Sequence, residues 1–443
     1  MTFNKNRKMK HLRIFYILYF LSFGIYAQTP ATDTHWEMIF EDNFNTLDNN
    51  VWDVLDYAQH GDCALLMAQN VFVSNGNLVI KMDNNATYCP VNPPTVKGAA
   101  APCVNKTYNY TSGWVETRQE YSTKYGYIEA QIKLPYGNRY WPAFWTFQAQ
   151  GTSNYDEIDI FEMLPGQNFQ NLSPQIAAPS GSIHNQNWMT TNAHPDGWQE
   201  GFDTPEFREI PINNYTNWHT YAIEWSPSKI IWYVDGGIVS VVPNNRGTGI
   251  HELNRIILNL DIWKSSSEPC PVLHASNLPA IMLINYVKMY QLKTDCNNSI
   301  NMCNYNFSQH VNKVKSSVHI GNGGCTNVVP VGSNIVLRAS DGVLLSGNFS
   351  VPYGASLYAD AGADCSNACA RVFHPCLYNF TNYDNQIKQS IKLGGSGTGN
   401  CDVTVTSPND LSLKAINSII LKPGVTITPQ TNKSIILKLE NCN

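Results

Sequence analysis

The chain has 443 residues and a formal net charge of −5; only 14% of its residues are charged, while 12% are aromatic, including 11 Trp and 23 Tyr. This balance excludes a strongly basic nucleic-acid-binding protein, and no run of like charges marks a solvated interaction tail. The length exceeds that of one average domain and accommodates two.

At the N-terminus, Lys5, Arg7, Lys8, Lys10 and Arg13 precede an apolar run from Ile14 to Ile25, with Ala27 at a cleavage-type position. A spanning helix is the competing reading, but it needs about 20 apolar residues. The shorter run predicts a signal peptide over residues 1–27, and hence an extracellular, periplasmic or cell-surface protein with no membrane span in its mature part. The 12 cysteines follow this segment, and an even number in an exported chain predicts disulfides. Cys365, Cys369 and Cys376 with His374 raise a metal site as the alternative, but a second Cys or His pair at zinc-site spacing is lacking.

From Trp36 to Leu292 short alternating or apolar runs are separated by Gly, Pro, Asn and Asp. Val71–Val73 and Leu78–Ile80 flank Asn75-Gly76, and Ile230–Val234 and Ile238–Val242 flank Asp235-Gly236; both are hairpin signatures. Tyr127–Leu134 and His219–Trp225 alternate cleanly, and Ile281–Leu292 forms a late strand. No long amphipathic helix is apparent. So many strands predict an all-β fold over residues 34–292, two antiparallel sheets packed as a sandwich or jelly roll. Beyond a polar boundary at Thr294–Met302, residues 303–443 read as a small β-rich accessory module. Its two similar pieces, Asn334–Val351 and Ser418–Ile427, suggest internal repetition. Binding polysaccharide, attachment to a cell surface and a spacer role are its candidate functions.

The most informative strand is Asn154-Tyr155-Asp156-Glu157-Ile158-Asp159-Ile160-Phe161-Glu162-Met163. Glu157 and Asp159 share a face by alternation, whereas Glu162, an odd number of positions from Glu157, would point away in a regular strand. Acids are depleted in strands and like charges on one face repel, so three within six residues ask for a reason. Glycoside hydrolysis with retention supplies one, because it needs two carboxyl groups about 5–5.5 Å apart. A β-bulge between Asp159 and Glu162 would reset the alternation and return Glu162 to the face of Glu157. Glu157 would then attack as a carboxylate, Glu162 would act as acid and then base, and Asp159 would share a proton with Glu157 and tune its charge.

At Glu157-Ile158-Asp159-Ile160-Phe161-Glu162 the sequence resembles glycoside hydrolase family 16, in its laminarinase-like branch with the bulged E-x-D-x-x-E motif. The resemblance extends over Trp36–Phe44, Ser112–Arg118, Tyr125–Ala130, Leu134-Pro135, Trp141–Trp145, Trp218–Trp225 and Asn285–Gln291. It implies a concanavalin A-like β-jelly roll with a carbohydrate cleft across its concave sheet, Glu157 as nucleophile, Asp159 as the assisting acid and Glu162 as acid/base. The implied substrate is a β-1,3- or mixed-linkage glucan, with algal galactans (agar, porphyran, carrageenan) as the alternative. A non-catalytic carbohydrate-binding protein on the same fold is the reading from another class.

Trp141 and Trp145 offer flat apolar faces to sugars, against core packing as the ordinary role of a Trp. His184 sits where relatives often carry a cleft His, and Arg118 and Arg139 are the cations that a sulfated substrate would call for; both arginines could instead pair with acids. His219 reads as structural. The Cys89–Thr107 and Asn185–Gly201 segments and Leu258–Trp263 depart from the laminarinase pattern, the first two as loops at the ends of the cleft. The chemistry requires no cofactor. A structural calcium, held in some members by an Asp in the last strand, meets Asn285 here, a weaker ligand.

Overall fold

The computed structural model describes residue 30 and residues 36–93, 100–137, 139–149, 156–163, 188–194, 208–212, 215–244, 250–264, 268–296 and 298–361, with shorter stretches between 372 and 439. The expected signal peptide, His184 and Cys365, Cys369 and Cys376 lie outside these residues.

Fifteen strands build two large sheets: β1 (Trp36–Asp42), β2 (Trp52–Val54), β3 (Val71–Ser74), β4 (Asn77–Met82), β5 (Trp114–Thr117), β6 (Gly126–Lys133), β7 (Tyr140–Gln148), β8 (Glu157–Glu162), β9 (Trp188–His194), β10 (Arg208–Pro211), β11 (Trp218–Trp225), β12 (Lys229–Val234), β13 (Gly237–Pro243), β14 (Asn254–Ile262) and β15 (Ala280–Leu292). The first sheet runs β13-β12-β11-β6-β15-β4-β3. β1 pairs with the end of β15 beyond β4. The second runs β10-β9-β8-β7-β14-β5-β2. All these pairings are antiparallel.

The hairpins form where the sequence placed them. Asn75 and Gly76 have φ of 52° and 69°, and Asp235 and Gly236 have 50° and 77°. Two consecutive positive values match the right-handed twist of the flanking strands. Alternation then fills the space between the sheets: Ile128, Ala130 and Ile132 of β6, Tyr221, Ile223 and Trp225 of β11, and Ile256, Leu258, Leu260 and Ile262 of β14 belong to one buried cluster. β14 lies mid-sheet and is buried along its whole length. Its other side turns Arg255, Ile257, Asn259 and Asp261 toward the concave face.

Short strands around residues 58–66 and 101–112 form a layer over part of that face. Leu55, Ala58, Leu66 and Ala100 pack there on Trp114, Ala143, Trp145 and Ile257. Disulfides Cys63–Cys270 and Cys89–Cys103 hold this layer, the second closing the insert expected at Cys89–Thr107.

The C-terminal part is built differently. Strands β16 (Val314–Ile320), β17 (Asn334–Leu345) and β18 (Ser356–Ala361) stack in parallel, as do β19 (Ile387–Leu393), β20 (Leu411–Leu421) and β21 (Ile435–Leu439). Thr326 pairs with Asn348 and Val403 with Val425, each 22 positions on. The strand–turn–strand repeat seen in the sequence is therefore one rung of a parallel solenoid-like stack, with its partners in neighbouring rungs. The parallel pairing already involves Thr294–Asp295 and Ile300–Met302, ahead of residue 303. A third disulfide, Cys303–Cys325, lies here, and no free cysteine occurs among the described residues.

Candidate active site

Strand β8 is pinned before it begins. The buried Asp156 carboxylate accepts the backbone N–H groups of His251 (2.8 Å) and Glu252 (3.0 Å). Ile158, Ile160, Phe161 and Met163 then all enter the core between the sheets. Two consecutive inward residues, Ile160 and Phe161, are what a bulge produces. The registers agree. Against β7, Phe161 pairs with Phe144 and Asp159 with Trp145, leaving Ile160 without an opposite residue. Against β9, the shift falls between Asp159 and Glu162. The facing sheet holds the kink: Trp232 Nε1 on β12 donates to the Asp159 carbonyl at 2.8 Å, and Phe161 packs on Tyr221 with ring centroids 4.5 Å apart. Glu157, Asp159 and Glu162 thus share the concave face, as the odd spacing required.

The three carboxyl groups form a chain. Asp159 stands between the two glutamates, close enough for its charge to act on both. Burial raises all three: Asp159 to about 7, Glu162 to about 8, and Glu157 well above the usual carboxylate range. The Asp159 charge pushes both glutamates further. His194 stands opposite Glu157 on β9, its Nε2 3.4 Å from Asp159 Oδ2 and 4.0 Å from Glu157 Oε1, and its charge favours the ionised form of Glu157. Trp141 Nε1 donates to Glu162 Oε1 at 2.8 Å, which also favours the carboxylate. The Trp141 donor therefore stands at the Glu162 end of the three carboxyls, and His194 at the side of Asp159 and Glu157. Glu157, Asp159 and His194 also form the group of described residues whose ligand-type atoms, within 4.8 Å of one another, could hold a cation.

The Trp pair divides its work. Trp141 is partly exposed beside Glu162 and meets Trp263 edge-on at 5.0 Å. Trp145 is only 5% exposed; its Nε1 donates to Asn259 (2.8 Å) and its ring meets Trp114 edge-on, so it is the floor beneath the cleft. Arg118 follows β5, three strands from β8, where its guanidinium faces Asp53 (3.7 Å) and Glu120 (4.0 Å) and donates to the Asn49 carbonyl. Arg139 pairs with Glu268 at 3.0 Å. His219 bonds Asp235 at 2.7 Å on the other sheet, the structural role expected of it. Asn285 donates to Gln131.

The sequence reading missed His60, His194 and Asp261. His60 packs on Trp141, Trp114 and Trp145 with centroids 4.9, 5.2 and 5.9 Å away. Asp261 lay within the departure at Leu258–Trp263, which was the only signal in the chain pointing to it.

Residues 61–269 match the family model Glycosyl hydrolases family 16. This domain belongs to glycosyl hydrolase family 16. The family 16 domain is 29% identical to glucan endo-1,3-beta-glucosidase A1 of Niallia circulans, over 57% of this chain and 38% of that protein. It is 26% identical to a beta-glucanase of Rhodothermus marinus, over 58% of this chain and 86% of that one. The chain thus spans less than half of the first relative. Among solved structures, the catalytic domain of an endo-1,3-beta-glucanase (laminarinase) from Thermotoga petrophila RKU-1 is 22% identical, covers 58% of this chain and 99% of its own, and aligns with a TM-score of 0.45.

Proposed function

We propose that the protein is an exported, retaining endo-glycosidase that hydrolyses internal β-linkages of a polysaccharide, with β-1,3- or mixed-linkage β-1,3-1,4-glucan as substrate. The observation that carries this reading is the bulge that brings Glu157, Asp159 and Glu162 to one face of a tryptophan-floored concave sheet. The family and the glucanase relatives support the substrate class.

Glu162, pushed up to about 8, is protonated at neutral pH and donates to the departing glycosidic oxygen. Glu157 attacks the anomeric carbon as carboxylate, and the proton that it shares with Asp159 moves to Asp159 as it does so. The His194 charge favours that ionised state. Once Glu157 is esterified, Glu162 is the base that activates water and restores the starting state. No step calls for a cofactor. In this reading Trp141 contributes its ring to the sugar and its N–H to the acid/base, and the C-terminal stack attaches the enzyme to polysaccharide or to a cell surface.

The test is product analysis after incubation with a panel of β-glucans and algal galactans. Release of β-1,3-linked oligosaccharides is the expected result, and release from a galactan alone reassigns the substrate. A Glu157→Ser variant should keep oligosaccharide binding and lose roughly a thousandfold or more in turnover. Turnover equal to the parent's removes Glu157 as nucleophile, and a parent that binds glucan without cutting it is a binding protein.

A further inference from the structure

We propose that His60 is a substrate-binding residue at the sugar subsite beside Glu162, with Asp261 as its positioning residue and a hexopyranose hydroxyl as its ligand. This rests on the hydrolase reading above, and its argument comes from a segment outside the acid strand. Asp261 faces Trp141 across the sheet, two residues along from Asn259, whose row continues through Ala143 to Glu162. It is fully buried. Its Oδ1 accepts the Ile262 N–H at 2.7 Å and its Oδ2 the Gly61 N–H at 2.8 Å. A side chain at position 61 would press its Cβ to 3.1 Å from Asp261 Oδ2 and from the Ile262 carbonyl, so a glycine lets the backbone come this close. The Cys63–Cys270 disulfide ties the same loop two residues later.

This mooring fixes His60. Its ring is packed among three tryptophans, one of which bonds Glu162. Nδ1 is buried and turned to Asp261 Oδ2 at 3.6 Å, while a quarter of the side chain remains exposed. A carboxylate facing Nδ1 favours the proton on that nitrogen, and Nε2 is then the acceptor available outside. Sugar hydroxyls are donors, and the ring lies against Trp141, whose N–H bonds Glu162. A ring needed only for packing would require neither the buried carboxylate nor the glycine beneath it.

The test measures binding of a β-1,3-linked glucotetraose to the full chain carrying Glu157→Ser, and to the same protein with His60→Phe or His60→Gln added. Phe keeps a ring on the tryptophans and removes both nitrogens; Gln keeps a polar group in reach of the hydroxyl. Loss of one hydrogen bond predicts affinity about fivefold weaker for His60→Phe, with His60→Gln within about twofold of its background. Equal affinity for the His60→Phe protein and its background overturns the proposal while leaving the hydrolase reading standing. A parent that does not cut glucan, but whose binding falls with His60→Phe, overturns the hydrolase reading and supports the subsite. Absence of binding in the Glu157→Ser background overturns the subsite, and parental hydrolysis then decides the activity separately.

Discussion

The cleft strand β8 and the seam between the two parts of the chain both bury charge, but in opposite ways. At the seam, Asp360 of β18 receives Lys229 of β12 at 2.6 Å, and Arg338 Nε lies 3.8 Å from its other oxygen. Arg338 also stacks over Trp36 and Tyr358 and opposes the burial that raises the Glu224 carboxyl. Cations and acids match, as structural burial of charge demands. In the cleft, three carboxyls crowd together, with His194 within 4.0 Å of Glu157 and Asp159. Packing alone never calls for that arrangement. The comparison teaches that buried acids crowded against one another mark chemistry, and buried acid set against cations marks assembly.

The largest test of this contrast is Glu162→Gln. General acid catalysis contributes about 10²–10⁴-fold, so turnover of unactivated glucan should fall by roughly a thousandfold. Stability should move the other way. The Glu162 carboxyl titrates near 4.5 in the unfolded chain and about 8 in the fold. As pH rises the unfolded state releases its proton first, so the parent is fully stable below the unfolded value and loses stability until the folded value is passed. Thermal unfolding should therefore show the variant gaining on the parent between these limits. A gap that does not change with pH would mean that Glu162 titrates alike in the folded and the unfolded chain.

The seam gives the next largest effect. Asp360→Ala removes the acid that Lys229 bonds and Arg338 faces, which should destabilise the full chain by about 3 kcal/mol in urea unfolding. Kinetics on glucan should be unchanged below the unfolding transition, because the seam lies on the sheet opposite the cleft. A neutral substitution would show that the two parts hold together by apolar contact alone.

How much of this was readable in the chain follows from sequence distance. The hairpins at Asn75-Gly76 and Asp235-Gly236 are decided by backbone conformations within a few residues, so local sequence reveals them. The bulge was legible because a parity conflict among Glu157, Asp159 and Glu162 needs only period-two geometry. The parallel stack was not: Ile335 meets Leu357 and Ile391 meets Ile419 in the next rung, and a strand–turn–strand pattern looks the same whether its strands pair with each other or with the next rung. His60 and Asp261 lie 201 positions apart in the chain, and only the sheet brings them together. Trp141 and Trp145 had one signature in sequence but separate in space, because their partners on β8 and β14 differ.

The finest probe of the contrast is Trp141→Phe, which keeps the ring and removes the 2.8 Å hydrogen bond to Glu162. That bond stabilises the carboxylate, so its loss must raise a pKa that burial already holds at about 8. The acid has to be protonated for leaving-group departure, and the alkaline limb of kcat should move upward, by about half to one unit for one hydrogen bond. At neutral pH, where Glu162 is already protonated, kcat should change less than threefold if geometry is kept. An alkaline limb that moves down, or not at all, would assign it to another group and leave Trp141 as a sugar platform only. A limb that moves up with little loss of rate would show the cleft tuning Glu162 through a neutral donor, where the seam uses a cation.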